Sequence, residues 1–370
     1  MKKDATGTIK FKLKERPIKF GSHRDAAILE YYTRSLSLDY EEYLSSTPFR
    51  DSILAYRSDV GNNIEHSKSL FDEIRYRKKC IAIAMDISGF FDNISHQVLY
   101  QQLRRIRRSE RLPEVDYVIF KRMTSYEWVD SKALTDRLGD VYGRAGRICY
   151  PQEFRRLVRQ QKPSLVQRNV SDRGIPQGTP LSGAYANISL LQFDNDMTQR
   201  VGELGGTYRR YSDDIAFVLP RSTNVDDFVE MVAGSLLEIG LEVSSGKTEV
   251  SRFDVSAGKL AADRPFQYLG FTFDGSRTLI RQSSLSNYYG KMNRGIRAKI
   301  HAAKKNGVPQ AEIYMRELFR KYTHFGQYRN FPRYAYKAAQ VHESRDIRKQ
   351  LSRHVSIFKE KVRDAINDIY

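Results

Sequence analysis

The segment Thr207-Tyr-Arg-Arg-Tyr-Ser-Asp-Asp-Ile-Ala-Phe-Val-Leu219 sets two adjacent aspartates between a strand-like stretch and an apolar run of strand length. It reads as a hairpin with acid at its tip. Ser and Asp are ordinary turn residues because they bond to their own backbone, so an isolated Ser212-Asp213-Asp214 needs no function. A second segment narrows the choice, since Ile81-Ala-Ile-Ala-Met-Asp86 also runs an apolar strand into an aspartate. Carboxylates delivered by two strand ends suit Mg²⁺, which prefers a few carboxylates plus substrate phosphates to a full protein cage. The pattern points to phosphoryl transfer.

The 370 residues suffice for two or three subdomains with a substantial core. A net charge of +18, spread along the chain among 23 Tyr and 19 Phe, favours a polyanion as partner over a generic basic surface. Only Cys80 and Cys149 occur, and no His or Cys stands near them at metal spacing. Neither a disulfide framework nor a zinc site is indicated. The N-terminus lacks an apolar signal core and no long apolar run follows, so a cytoplasmic protein without membrane contact is expected.

Helices are expected over Asp25–Leu44, Ile64–Arg75, a run that Ser95 would cap, and Val225–Ile239 closed by Gly240. The second of these leads into the strand ending at Asp86. The basic cluster Arg104–Arg108 fits a solvated helix end and a phosphate contact equally well. No role emerges for Trp128. Gly174-Ile-Pro-Gln-Gly-Thr-Pro-Leu-Ser182 is a Gly- and Pro-rich loop opening into a helix, where the backbone can approach a ligand closely. Phe266–Phe273 reads as one apolar strand ending at the turn Asp274-Gly275, and Ser284–Tyr370 as basic helices punctuated by Tyr.

The order Met85-Asp-Ile-Ser-Gly-Phe-Phe-Asp92, Gly174–Ser182, Tyr211-Ser-Asp-Asp214, Gly240–Lys247 and Tyr268-Leu-Gly-Phe271 resembles the polymerase motifs of prokaryotic reverse transcriptases. The resemblance runs from about Arg16 to Phe273 and more loosely through the helical tail. It implies an α+β right-hand polymerase: fingers at 1–80, a palm at 81–275 with a fingers insertion at about 100–172, and a helical basic thumb at 276–370. Ala55-Tyr-Arg57 and Ser284-Leu-Ser-Asn-Tyr-Tyr-Gly-Lys-Met292 look most like the defence-associated bacterial enzymes, formerly an unknown group, and the compact chain resembles their type 2 subgroup. The Val-Thr-Gly signature usual in retron enzymes is absent from the thumb region, and no maturase or endonuclease domain is expected.

The resemblance implies an RNA-directed DNA polymerase that copies a dedicated noncoding RNA from dNTPs into DNA in antiphage defence. A retron-type or template-independent polymerase is the alternative within the class. A catalytically silent RNA-binding module is the alternative outside it. Asp86 and Asp213 are implied as ligands of two Mg²⁺ ions, which Mn²⁺ can replace, with Asp214 adjacent and Ile87 counted in the set. In such a site one ion activates the primer 3′-hydroxyl and the other steadies the triphosphate. Asp92 is read as structural. Phe91 matches the sugar gate, although a core phenylalanine fits the same pattern, and Gln177 matches the residue lining the nucleotide pocket. Lys247, which a plain turn lysine also explains, stands near the triphosphate by resemblance. Arg16 matches the fingers residue that grips it, and Arg57 is a further candidate of that type.

Overall fold

The computed structural model describes residues 18–143, 148–326 and 330–370, together with the backbone of short strands at Lys2–Lys3 and Ile9–Lys10. Arg16 and Tyr328 lie outside the described residues. In chain order the elements used below are α1 (His23–Ser45), α2 (Asn63–Arg77), β1 (Cys80–Asp86), α3 (Phe90–Asn93), α4 (His96–Ile106), α5 (Glu114–Thr124) and α6 (Ser131–Leu138). They continue with α7 (Ser182–Ser189), α8 (Leu191–Glu203), β2 (Thr207–Tyr211), β3 (Asp214–Pro220), α9 (Val225–Leu237), β4 (Glu249–Ser256) and β5 (Lys259–Ala262). The last are β6 (Phe266–Tyr268), β7 (Phe271–Phe273), β8 (Thr278–Ile280), α10 (Gln282–Lys305), α11 (Arg316–Tyr322), α12 (Phe331–Val341), α13 (Arg345–Leu351) and α14 (His354–Ile369). The fold is α+β.

The chain divides into two compact units, 1–50 with 88–195 and 233–242, and 51–87 with 196–232 and 243–370. The second is built on an antiparallel five-stranded sheet ordered β2-β3-β1-β4-β5. β1 and β3 are covered on both faces, being buried over nearly their whole length, which explains why both are continuous apolar runs rather than alternating ones. Cys80, Ala82, Ala216, Val218 and Phe253 turn one face to Ile64, Leu70, Phe71 and Ile74 of α2 and to the smaller sheet β6-β7-β8. Phe71 stacks on Phe273 at 5.0 Å between ring centres. On the other face Phe217 meets Phe228 edge-on at 4.9 Å. α2 begins at a capping box: the Asn62 side chain accepts from the Ile64 N–H, and Glu65 accepts from the Asn62 N–H.

The expected single strand Phe266–Phe273 is instead a hairpin, with Phe266 opposite Phe273 and Tyr268 opposite Phe271. Leu269 and Gly270 form its two-residue turn with φ of 46° and 90°. Two consecutive left-handed residues give the turn that matches strand twist, and Gly270 supplies the less strained one. The basic tail divides between two cores. Ala335, Ala338, Ile347 and Leu351 of α12 and α13 join the core around Phe71, whereas Met292, Ile296 and Ile300 of α10 pack with Phe358, Ala365 and Ile369 of α14. Tyr288 and Tyr322 are buried in that second core.

The first unit packs α1, α4 and α7 together and carries a small satellite core of Leu134, Leu138 and Val158 in the segment between α5 and α7. Ser95 caps α4 as expected. The far end of α4 is neither a free cationic face nor open to phosphate at Arg107, whose guanidinium is enclosed by the carboxylates of Asp39 and Asp116, with Asp116 itself buried. Trp128 has a partner: the Lys19 ammonium lies 4.7 Å from its ring centre.

Candidate active site

Asp86 ends β1 and Asp214 begins β3, and the two strands pair in a register that sets these residues directly opposite each other. Asp213 precedes Asp214 at the tip of the β2–β3 hairpin, whose Tyr211 and Asp214 also pair, leaving Ser212 and Asp213 as the turn. The Ile87 N–H donates to the Asp213 carbonyl at 3.1 Å, tying the end of β1 to that turn. Sheet register thus brings Asp86, Ile87, Asp213 and Asp214 to one edge of the second unit. The Asp214 carboxyl is open to solvent but crowded by protein. Desolvation first, then the Asp213 and Asp86 charges, push its pKa up to about 6, while Lys247 and Arg281 oppose the rise.

Asp86 has two further partners from the turn after α9. The Ser244 hydroxyl donates to the Asp86 carboxylate at 2.6 Å while the Ser244 N–H donates to the Asp86 carbonyl at 2.7 Å. Lys247 donates to the same carboxylate oxygen, so the residue expected near a triphosphate stands beside the carboxylates. Among the described residues no three His, Cys, Asp or Glu side chains form a metal cage. The donor set still fits a divalent cation: carboxylates converge against their mutual repulsion, and an ion of this kind takes its remaining ligands from phosphate and water.

The first unit holds Phe91 and Gln177. Phe90 is buried and Phe91 half-buried, with their rings 5.6 Å apart. The Phe91 carbonyl accepts from the Ile175 N–H at 2.9 Å, so α3 and the Gly174–Ser182 loop form one backbone assembly. Asp92 is exposed. The loop was expected to offer its glycine to a ligand, but Gly178, at φ +110°, is met by the chain itself. A Cβ there would lie 2.6 Å from Ile18 and 2.9 Å from the Lys19 carbonyl, and the Lys19 N–H donates to the Gln177 carbonyl at 2.7 Å. Arg57 turns its guanidinium back onto the Ile53 carbonyl at 2.7 Å.

The profile of the reverse transcriptase (RNA-dependent DNA polymerase) family matches residues 21–273, which contain Asp86, Ile87, Phe91, Gln177, Asp213, Asp214, Ser244 and Lys247. The chain belongs to the reverse transcriptase family. Reverse transcriptase domains generally use divalent metal ions, in keeping with the carboxylates at the sheet edge. A curated relative, the retron Mx65 reverse transcriptase of Myxococcus xanthus, is 35% identical over 83 residues, 22% of this chain and 19% of that protein. The match therefore spans about a fifth of the relative's length. Among solved structures, telomerase from Candida albicans with a fragment of telomeric RNA aligns at a TM-score of 0.48 and 14% identity, covering 92% of this chain and 48% of that one. Apo telomerase from Candida tropicalis aligns at 0.44 and 13% identity, covering 92% and 55%.

The residues that sequence reasoning missed are Ser244 and Arg281. Ser244 lies in the turn that supplied Lys247, and only the fold shows its bonds to Asp86. Arg281 stands just before α10, distant in sequence from the aspartates, with its N–H bonded to the Gly270 carbonyl.

Proposed function

We propose that this chain is an RNA-directed DNA polymerase that adds dNTPs to a primer by phosphoryl transfer at Asp86, Asp213 and Asp214. The observation that carries the reading is the register of β1 on β3, which sets carboxylates from two strands at one sheet edge within a family of reverse transcriptases. Asp86, Asp213 and Asp214, with the backbone of Ile87, would hold two Mg²⁺ ions, for which Mn²⁺ can substitute. Bound there, the ions supply charge neutralisation and an activated 3′-hydroxyl. Ser244 orients the Asp86 carboxylate, and Lys247 offers a proton donor and positive charge to the departing pyrophosphate. Phe91 excludes the ribose 2′-hydroxyl by bulk, Gln177 lines the nucleotide pocket, and Arg16 grips the triphosphate. Residues 1–80 and about 100–172 act as fingers, 81–275 as palm and 276–370 as thumb.

The template in this reading is a structured noncoding RNA, bound through distributed Lys and Arg and through unpaired bases, and the DNA copy serves antiphage defence. The net charge of +18 and the likeness to defence-associated enzymes support it. The reading puts the reaction in the cytoplasm; independently of that, no described helix is long and apolar enough to cross a membrane. The retron relative favours a second reading, a retron-type enzyme whose RNA supplies both template and priming hydroxyl. Purifying the protein from cells that carry its flanking DNA, then sequencing bound RNA and new cDNA, tests both. cDNA copied from a neighbouring locus supports a dedicated template, and its covalent linkage to that RNA selects the retron type. Bound RNA that mirrors the cellular pool, with no cDNA, contradicts both.

A further inference from the structure

The segment Ile53–Arg57 has no part in the chemistry assigned so far, yet it lies against the β2–β3 turn. Leu54 donates its N–H to the Arg210 carbonyl at 2.9 Å, and Ile53 bridges to Arg210 in parallel. Ile53, Leu54 and Ala55 are buried, whereas the next residue, Tyr56, is 53% exposed. Its ring therefore adds little to the core. Its hydroxyl reaches the hydroxyl of Ser212 at 3.1 Å. Ser212 is 5% exposed and directly precedes Asp213.

Both partners are strained. Tyr56 has φ of 56° and Ser212 φ of 60°, the left-handed region that a side chain with a Cβ enters at a cost. Of the two turn residues Ser212 and Asp213, only Ser212 has a positive φ, in the first central position that glycine fills in a type II′ two-residue hairpin. Such strain persists where surrounding contacts over-determine the backbone. Here the contacts are present on both sides. The fully buried Arg210 donates to the Ser212 carbonyl at 3.3 Å, and Tyr56 meets the Ser212 side chain.

We propose that Tyr56 is a positioning residue: through its bond to Ser212 it holds the strained turn that fixes the Asp213 carboxylate. The inference rests on the assignment of Asp213 to the reaction. It gives Ala55-Tyr56-Arg57 a role different from gripping triphosphate. A turn held from both sides keeps Asp213 in its working attitude before any ion or nucleotide arrives, and such prior fixing is what catalytic geometry requires.

The test uses the full chain with Tyr56→Phe, Ser212→Ala and the double variant. One arm measures hydrogen exchange of the 211–214 amides in metal-free protein. The other measures kcat and the KM for dNTP and for template–primer. In both single variants the turn amides should exchange faster, at unchanged melting temperature. In both, kcat should fall about tenfold, with both KM values within about twofold. The double variant should be no worse than the worse single, because both changes delete one interaction. Additive losses overturn the proposal, and so does a rise in template–primer KM at constant kcat, which would make Tyr56 a substrate contact. Unaltered exchange in both singles overturns it as well. If even the wild-type chain fails to polymerise, the exchange arm still decides whether Tyr56 holds the turn, and the functional reading fails separately.

Discussion

At the scale of single residues, the meeting of the aspartates was legible because Asp86 ends one apolar strand while Asp213 and Asp214 open another, and strand pairing does the rest. Ser244, Arg281 and Tyr56 were not, because each reaches the site through a tertiary approach that leaves no local pattern. The basic cluster on α4 shows the same limit. Arg107 has the sequence context of a phosphate contact, yet it is held between Asp39 and Asp116, and the Tyr32 hydroxyl also donates to Asp116. Arg107→Ala would leave the buried Asp116 carboxylate without its cation, and should lower the stability of the first unit by roughly 3 kcal/mol in urea unfolding. RNA affinity should change little. Lost affinity at unchanged stability would return Arg107 to the phosphate contacts. Phe91→Ala should raise kcat/KM for ribonucleotides relative to deoxyribonucleotides by about tenfold or more, the scale on which bulk alone discriminates. An unchanged ratio would leave Phe91 a structural phenylalanine beside Phe90.

At the scale of elements, Ser95 starts α4 as expected and Gly240 follows α9 at φ +78°, although the helix itself ends at Leu237 rather than Ile239, and the cap that Asn62 supplies to α2 emerges only from the fold. The hairpin β6–β7 was missed because Tyr268-Leu-Gly-Phe271 continues an apolar run, so hydrophobicity hid the turn that Gly270 marks. The Gly174–Ser182 loop was recognised as special for its glycines, but its close approach serves the chain's own Ile18 and Lys19. Gly178→Ala would bring a methyl group against the Lys19 carbonyl at a φ that suits glycine, and should destabilise the first unit by about 1–3 kcal/mol. Melting of the purified variant checks this. A melting temperature equal to wild type would show that Ile18 and Lys19 move aside freely.

At the scale of the whole molecule, buried histidines set the response to acid. His342 bonds Ser67 at 3.0 Å and sits against Phe71 and Phe271, and burial first, then Arg75 and Lys68, lower its pKa to about 4, with Asp72 opposing. His66, His96 and His324 are held below their ordinary range as well, chiefly by burial. A histidine with a lowered folded pKa binds its proton more readily when unfolded. Its contribution is therefore complete above about pH 6.5 and is lost as pH falls toward the folded value. His342 alone should account for about 3 kcal/mol between pH 6.5 and 4. Asp72, Glu73 and Asp274, whose pKa values are lowered, add their losses only below the ordinary carboxylate range. Urea unfolding at stepped pH should show this slope, and His342→Leu should flatten it; a slope unchanged by that substitution would place the proton uptake elsewhere. The central claim, that the carboxylates at the β1–β3 edge make DNA on an RNA template, is tested most directly by primer extension with Mg²⁺ and dNTPs, comparing the wild-type chain with Asp213→Asn. Wild type should extend the primer in the order the RNA dictates, and Asp213→Asn should be slower by on the order of 10³-fold with RNA binding retained. Extension that ignores template sequence, or equal extension by Asp213→Asn, would contradict the account.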